Sequence, residues 1–239
     1  MGPARRSPWS AHELAAVLDH TLLAPGATPA DVERLCDEAR EHGFAAVCVN
    51  GAHVRRCVQR LEGSPVKVCA VVGFPLGAGD SRAKRHKAHL ALESGARELD
   101  MVLQVGALRA GEHAFVVQDI EAVITAARSG RGLVKVILET GMLTRAEIVS
   151  ACRLAEEAGA DFVKTSTGFG PRGASRADVE LLHSCVGSRL GIKAAGGIRT
   201  ADFARELLDA GATRLGASGS VALVRAAVRG SSQSEPTSN

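Results

Sequence analysis

The 239-residue chain is 46 % hydrophobic, carries 29 basic against 26 acidic residues, and holds one Trp and no Tyr. Interspersed charges with so few aromatic side chains argue against nucleic acid as a partner. No apolar run approaches the roughly 18 residues of a membrane span, and no apolar secretion core follows the basic start MGPARRSPWS, so neither membrane insertion nor export is expected.

Six scattered cysteines (Cys36, Cys48, Cys57, Cys69, Cys152, Cys185) form no Cys-x-x-Cys pair and no zinc spacing. They point to a reducing cytoplasm, with no metal site and no disulfide framework.

In chain order, a short amphipathic helix (AHELAAVLD) leads into VLDHTLL (17–23), the first of eight runs short enough to be strands. The others are AAVCVN (45–50), VKVCAVVGF (66–74), ELDMVLQVG (98–106), LVKVILET (133–140), DFVKTST (161–167), GIKAAGG (191–197) and TRLGASG (213–219). Between them lie segments with apolar residues at helical spacing, such as PADVERLCDEARE, TRAEIVSACRLAEEAG and TADFARELLDAGA, several opened by a capping Thr or Asp. Eight units of the roughly 30 residues that a βα repeat needs predict an α/β fold, a (β/α)8 TIM barrel forming a single domain over 1–239. Residues 1–9 and about 230–239 read as flexible tails. A doubly wound open sheet is the runner-up, but it calls for a Gly-rich loop after the first strand, and DHTLLAPGAT supplies none.

Catalytic groups in such a barrel sit at the carboxyl ends of the strands. That rule singles out Asp19, Cys48, Asp100, Glu139, Lys164 and Lys193. Lys164 and Lys193 lie 29 residues apart, one βα unit, so they stand at corresponding heights on neighbouring strands. With strands about 4.8 Å apart, inward-pointing ammonium groups lie on the order of 6 Å from one another, a repulsion of roughly 3 kcal/mol that lowers an amine's pKa by about 2. Burial acts in the same direction, and a partly neutral amine can attack a carbonyl to form a Schiff base. The plain alternative is two strand-end lysines that reach solvent or pair with carboxylates. Asp100 interrupts an apolar strand and needs a buried partner, with Lys164, Lys193 and Lys135 as candidates. Read alone it is open to two roles, a structural ion pair or a proton-relay acid; Lys135, early in its strand, reads as structural, and Asp19 is open to a helix or loop cap as well as to its strand-end position.

Two glycine-rich turns, AAGGIRT (194–200) and LGASGS (215–220), each lead into a helix, where converging amides and the helix dipole suit an anion. Arg199 is open to two readings, a charge added to that site or a solvated first-turn residue. GFGPRG (168–173) spells a dinucleotide fingerprint but stands after the sixth strand, contains Pro171 and lacks the expected acidic residue downstream, so dinucleotide binding is rejected. The basic stretch RAKRHKAH (82–89) reads as a solvated helix face.

These segments together resemble the class I deoxyribose-phosphate aldolase family from about residue 17 to 220, through LDHTLL, AAVCVN, VVGFPLGA, ELDMVLQVGAL, KVILETGML, FVKTSTGF, IKAAGGIRT and RLGASGS. The resemblance implies reversible cleavage of 2-deoxy-D-ribose 5-phosphate to D-glyceraldehyde 3-phosphate and acetaldehyde, without metal or organic cofactor. It further implies that Lys164 forms the Schiff base, Lys193 keeps that amine reactive and Asp100 moves protons, with Asp19, Lys135 and Cys48 accessory. Gly168, Gly196, Gly197, Arg199, Gly216 and Ser218 would bind phosphate, and a homodimer is the expected assembly. The chain departs from the family pattern at VNGAHV (49–54), at Gln104 and in having no C-terminal tyrosine. The competing readings are another Schiff-base aldolase or transaldolase acting on a phosphorylated sugar, and a non-catalytic barrel that binds a phosphorylated metabolite.

Overall fold

The computed structural model describes residues 9–232. Of the ends expected to be flexible, 1–8 and 233–239 lie outside the described residues. At the inner edge of those ends, Trp9 packs on the core and its indole donates to Asp209 Oδ1 at 3.1 Å, while the last helix continues to Ser232.

Eight strands form: β1 (Leu18–Leu22), β2 (Ala46–Val49), β3 (Lys67–Val72), β4 (Glu98–Val102), β5 (Leu133–Ile137), β6 (Phe162–Lys164), β7 (Gly191–Ala195) and β8 (Arg214–Ala217). Each pairs in parallel with its sequence neighbour, and β8 returns to β1, closing the barrel. Every expected strand is present but shorter at its polar end. The TSTGFG stretch is a loop, so Lys164 is the last residue of β6, and Val105 opens a helix.

Around the barrel run α1 (Ala11–Ala15), α2 (Pro29–His42), α3 (Val54–Arg60), α4 (Ser81–Glu93), α5 (Val105–Arg109), α6 (His113–Ser129), α7 (Arg145–Glu157), α8 (Arg176–Val186), α9 (Ala201–Asp209) and α10 (Ser220–Ser232). Their starts are written in the sequence. Thr28 and Thr144 close capping boxes with Asp31 and Glu147, and Pro29 fills the first turn of α2, where its missing N–H has no cost.

Strand alternation sorts the core into two chemistries. Leu99, Met101, Val134, Val136, Val163, Ile192 and Leu215 face outward and join the helices in one apolar cluster. The intervening residues, Glu98, Asp100, Lys135, Lys164, Lys193 and Arg214, turn inward and pair with one another. Layers of branched apolar side chains usually fill such a barrel; here ion pairs occupy that position.

The RAKRHKAH face is not wholly solvated. Lys84 is buried between α4 and α6, where its ammonium pairs with the buried Asp119 and donates to the Val102 carbonyl at 3.0 Å. Ser81 Oγ donates to the second Asp119 oxygen at 2.6 Å. Lys84→Met would leave a buried carboxylate without its cation, and the expected loss is about 3–5 kcal/mol in urea unfolding at neutral pH. A change below about 1 kcal/mol, the size of an exposed pair, would contradict this assignment.

Candidate active site

β6 and β7 place Lys164 directly opposite Lys193, and β4 and β5 place Asp100 opposite Lys135. The height predicted from the 29-residue spacing is therefore observed. What the spacing alone did not show is that a carboxylate lies between the two amines. Lys164 Nζ and Lys193 Nζ each donate to Asp100 Oδ2 at 2.7 Å, so the two nitrogens are at most 5.4 Å apart, twice that distance. Lys135 Nζ donates to the other oxygen, Oδ1, at 2.9 Å. All three candidate partners of Asp100 are used at once.

Asp19 is no cap. It is a buried residue of β1 whose carboxylate receives the Lys193 ammonium on one oxygen and Arg214 Nε, at 2.6 Å, on the other. Lys135 also holds Glu98 at 2.6 Å, and Arg214 closes the circuit onto Glu98. Four cations (Lys135, Lys164, Lys193, Arg214) thus face three carboxylates (Asp19, Glu98, Asp100), an excess of one positive charge.

Burial alone would push the Asp100 carboxyl up; Lys135, Lys164 and Lys193 overturn this and hold it well below the usual carboxylate range. At Asp19 burial is likewise outweighed, by Lys193, Lys135 and Arg214, and its carboxyl is held at about 2. Burial pushes the Lys193 amine down, but Asp100 and Asp19 raise it above the ordinary lysine value, so Lys193 stays an ammonium ion. The expected mutual repulsion of two bare lysines is corrected accordingly: the intervening carboxylate stabilises the charge on Lys193.

Above this network lies a cavity of about 440 Å³. Lys164 is the network residue that reaches it, and Gly168, Gly196, Gly197, Arg199, Gly216 and Ser218 all line it, with Thr21 and Thr167. Gly196 and Gly197 both hold positive φ (87° and 75°), which turns the chain sharply ahead of α9. Ser218 stands just before α10, a helix N-terminus aimed at the same space. Gly216 lies within β8, where a Cβ would come 3.1 Å from Lys193 Cε, so its lack of a side chain leaves room for that lysine.

Cys48 is fully buried, its Sγ 3.9 Å from Asp100 Oδ2. Glu139 is drawn away from the lysines: its backbone is left-handed, with φ 57°, and its carboxylate accepts from Thr167 N at 3.3 Å and from Thr167 Oγ1.

Glu98 and Arg214 also belong to the interior without being singled out by the sequence pattern. Each lies two positions from an inward residue or opposite one, so the period-2 signal was present, but a charge at the start of a strand looks like a solvated one. Among the described residues two donor sets could hold a cation, Cys48–Cys69–Asp100 and Asp19–Cys69–Glu98. In both, lysine ammonium groups already occupy the carboxylates, so a cation would have to displace them.

Asp19 sets a pH dependence. Its folded value, about 2, lies below the ordinary 3.8, so its contribution is complete above that ordinary value and disappears as the pH falls through the folded one. The expected result is that the stability gap between the wild type and Asp19→Asn, measured by urea unfolding, narrows by roughly 2 kcal/mol between about pH 6 and about pH 2. A gap independent of pH would show that Asp19 is not ionised in the fold.

Residues 14–228 match the profile described as DeoC/LacD family aldolase. A deoxyribose-phosphate aldolase from Thermoanaerobacter sp. (strain X514) is 50 % identical over 212 residues, covering 88 % of this chain and 95 % of that protein. Its counterpart from Enterococcus faecalis (strain ATCC 700802 / V583) is 49 % identical over 215 residues, 90 % and 97 % of the two chains. Among solved structures, the tetrameric deoxyribose phosphate aldolase from Aeropyrum pernix superposes with a TM-score of 0.85 at 34 % identity, covering 90 % of this chain and 91 % of that one. A closed parallel barrel, a lysine pair bridged by one buried carboxylate and similarity along nearly the whole sequence agree, and the chain belongs to the DeoC/LacD aldolase family.

Proposed function

We propose that the protein reversibly cleaves 2-deoxy-D-ribose 5-phosphate to acetaldehyde and D-glyceraldehyde 3-phosphate through a Schiff base on Lys164. The observation that carries this reading is the position of Lys164: its amine touches the Asp100 carboxylate beneath it and opens into a cavity lined by every residue suited to an anion. The names of the similar proteins support deoxyribose 5-phosphate over other phosphorylated sugars. A barrel that only bound a phosphorylated metabolite would have no use for a buried acid joining two amines.

Attack on the aldehyde carbon requires Lys164 as a free amine, and shedding its proton removes the one excess positive charge of the interior. Asp100 Oδ2, at 2.7 Å, is the oxygen placed to pass that proton to water. The carbinolamine loses its hydroxyl as water and leaves an iminium. A base removes the proton of the C3 hydroxyl, the C2–C3 bond breaks, and its electrons flow to the iminium nitrogen to give an enamine while glyceraldehyde 3-phosphate departs. Protonation of the enamine carbon and hydrolysis release acetaldehyde and restore the lysine. Lys193, fixed as an ammonium by two carboxylates, stays beside the reacting nitrogen and holds Asp100 in place. Asp19 and Lys135 anchor the two ends of that arrangement.

On the phosphate side, the amides around Gly168, Gly196, Gly197 and Ser218, the N-terminus of α10 and the Arg199 guanidinium receive the anion. The chain has no tyrosine, so proton transfer falls to Asp100 and water. The reaction draws on no metal or organic cofactor. The proposal extends to a homodimer acting in the cytoplasm, to be checked by light scattering and by localisation.

Borohydride reduction in the presence of acetaldehyde tests the mechanism: an ethyl group of about 28 Da is expected on Lys164 by peptide mapping, as reduction of a Schiff base requires. No adduct, or one on Lys193, would overturn it. For the anion site, Arg199→Ala is expected to raise KM for deoxyribose 5-phosphate about tenfold, the equivalent of one charged hydrogen bond of about 1.5 kcal/mol, and to leave cleavage of unphosphorylated deoxyribose unchanged. Equal losses on both substrates would remove Arg199 from that role.

A further inference from the structure

The cysteines that look scattered in the sequence fall into neighbouring pairs in space: Cys36 of α2 with Cys57 of α3, Cys152 of α7 with Cys185 of α8, and Cys48 with Cys69, directly opposite each other on β2 and β3. The third pair belongs to the barrel interior. Its two sulfurs lie within 4.8 Å of each other and of the Asp100 carboxylate. Cys69 Sγ donates to Asp100 Oδ1 at 3.1 Å, Cys48 Sγ lies 3.9 Å from Oδ2, and Lys135 Nζ donates to Cys69 Sγ at 3.5 Å. Both sulfurs therefore stand against the carboxylate that joins the lysines.

We propose that Cys48 and Cys69 form a reversible oxidation site, at which a hydroperoxide drives formation of a disulfide that withdraws both thiols from Asp100 and stops catalysis.

The two thiols are unequal in the way such a step needs. The neighbouring Cys69 lowers the Cys48 thiol from its ordinary value against the effects of burial and Asp100, and the Lys193 and Lys164 ammonium groups assist. Burial raises Cys69 well above its ordinary value, and the neighbouring Cys48 adds to this, so Cys69 keeps its proton. Cys48 is thus the nucleophile and Cys69 the resolving thiol.

The Cys48 thiolate attacks one peroxide oxygen, the O–O bond breaks, an alcohol or water leaves, and Cys48 becomes a sulfenic acid. Cys69 then attacks the Cys48 sulfur, an S–S bond forms, and the sulfenic hydroxyl leaves as water with the Cys69 proton. Two thiols lose two electrons and two protons, and one hydroperoxide is reduced to an alcohol and water.

Strands in register stand about 4.8 Å apart, inside the Cα separation of about 4.4–6.8 Å that a disulfide spans. The hydrogen-bonded ladder fixes that spacing on both sides, so the closing movement falls on the two side chains, which turn toward each other and away from Asp100. Both thiols are fully buried and neither lines the catalytic cavity, so an oxidant has to pass through the packing that separates them from that cavity. Leu23 lines it and packs in one apolar group with both cysteines, and Lys164, also on its wall, touches the carboxylate oxygen nearest Cys48. That path suits a small neutral oxidant such as hydrogen peroxide.

Trypsin places Cys48 in peptide 41–55 and Cys69 in peptide 68–82, so the bridge can be read directly. Full-length protein is treated with hydrogen peroxide, freed of peroxide, unfolded in urea with iodoacetamide to block every remaining thiol, digested without reduction and mapped by mass spectrometry. The expected product joins 41–55 to 68–82, disappears with dithiothreitol, and rises and falls in step with lost and recovered aldolase activity. In Cys69→Ala, Cys48 should proceed to the sulfinic acid and dithiothreitol should restore nothing. If that variant does not fold, the wild-type map decides alone.

Both peptides alkylated while the other cysteines are oxidised would overturn the site, and full activity in the cross-linked protein would overturn the switch. The activity readout rests on the proposed function and the map does not. Failure of the aldolase reading would therefore show as no activity in the reduced protein, whatever the map gives.

Discussion

One buried carboxylate organises this barrel. Asp100 has no exposed surface, yet it remains ionised because three ammonium groups reach its two oxygens. An isolated charge at that depth would neutralise, since desolvation costs several kcal/mol per ion. The lysines face the same penalty and the same remedy. Neither partner could be buried without the other, so the interior folds as a linked set in which Asp19 and Glu98 extend the pairing to Lys193, Lys135 and Arg214.

Such an interior adds little net stability, because buried ion pairs roughly offset their own desolvation. The burden of holding the fold passes to the outer layer, where the other face of every strand packs against the helices in one continuous apolar cluster. This division explains why the alternation in ELDMV and LVKVI is so regular: outward positions are uniformly apolar, and inward positions can carry charge because nothing there is asked to supply hydrophobic stabilisation. The result is a preorganised field. Reacting groups fixed on strands by several partners each need little reorganisation when charge moves.

Much of this was legible in the residues. Eight short apolar runs at βα spacing imply the barrel, and Lys164 and Lys193 one unit apart imply their shared height. The partnership of Asp100 followed from its being a lone carboxylate in an apolar strand. The limits were physical as well. Which face a strand-starting charge takes depends on the stagger between neighbouring strands, and that stagger emerges only on closure; Glu98 and Arg214 were therefore indistinguishable from solvated charges. Asp19 sits in an Asp-His-Thr sequence that suits a cap, and only its position beside β8 gives it Arg214 as a partner. The 29-residue spacing gives the lysine repulsion as a two-body problem, whereas a carboxylate at 2.7 Å from both nitrogens makes it a three-body one.

The cavity joins two kinds of backbone for two kinds of task. Its floor, with Lys164 over Asp100, is built from ladder-bound strands, where a side chain can be held to a fraction of an ångström. Its far wall is glycine-rich turn, with Gly196 and Gly197 in left-handed conformations that present amides in place of side chains. A covalent step needs the first arrangement, because bond formation depends on direction. A phosphate group, with charge spread over several oxygens, is served by the second, in which many weak donors converge and none must be exact. Gly216 lies where the two meet: it lines the cavity, and the absence of its side chain leaves the space that Lys193 Cε fills. A glycine that the sequence offers only as part of an anion turn thus also leaves room for the second lysine, so one position serves both the anion wall and the reacting floor.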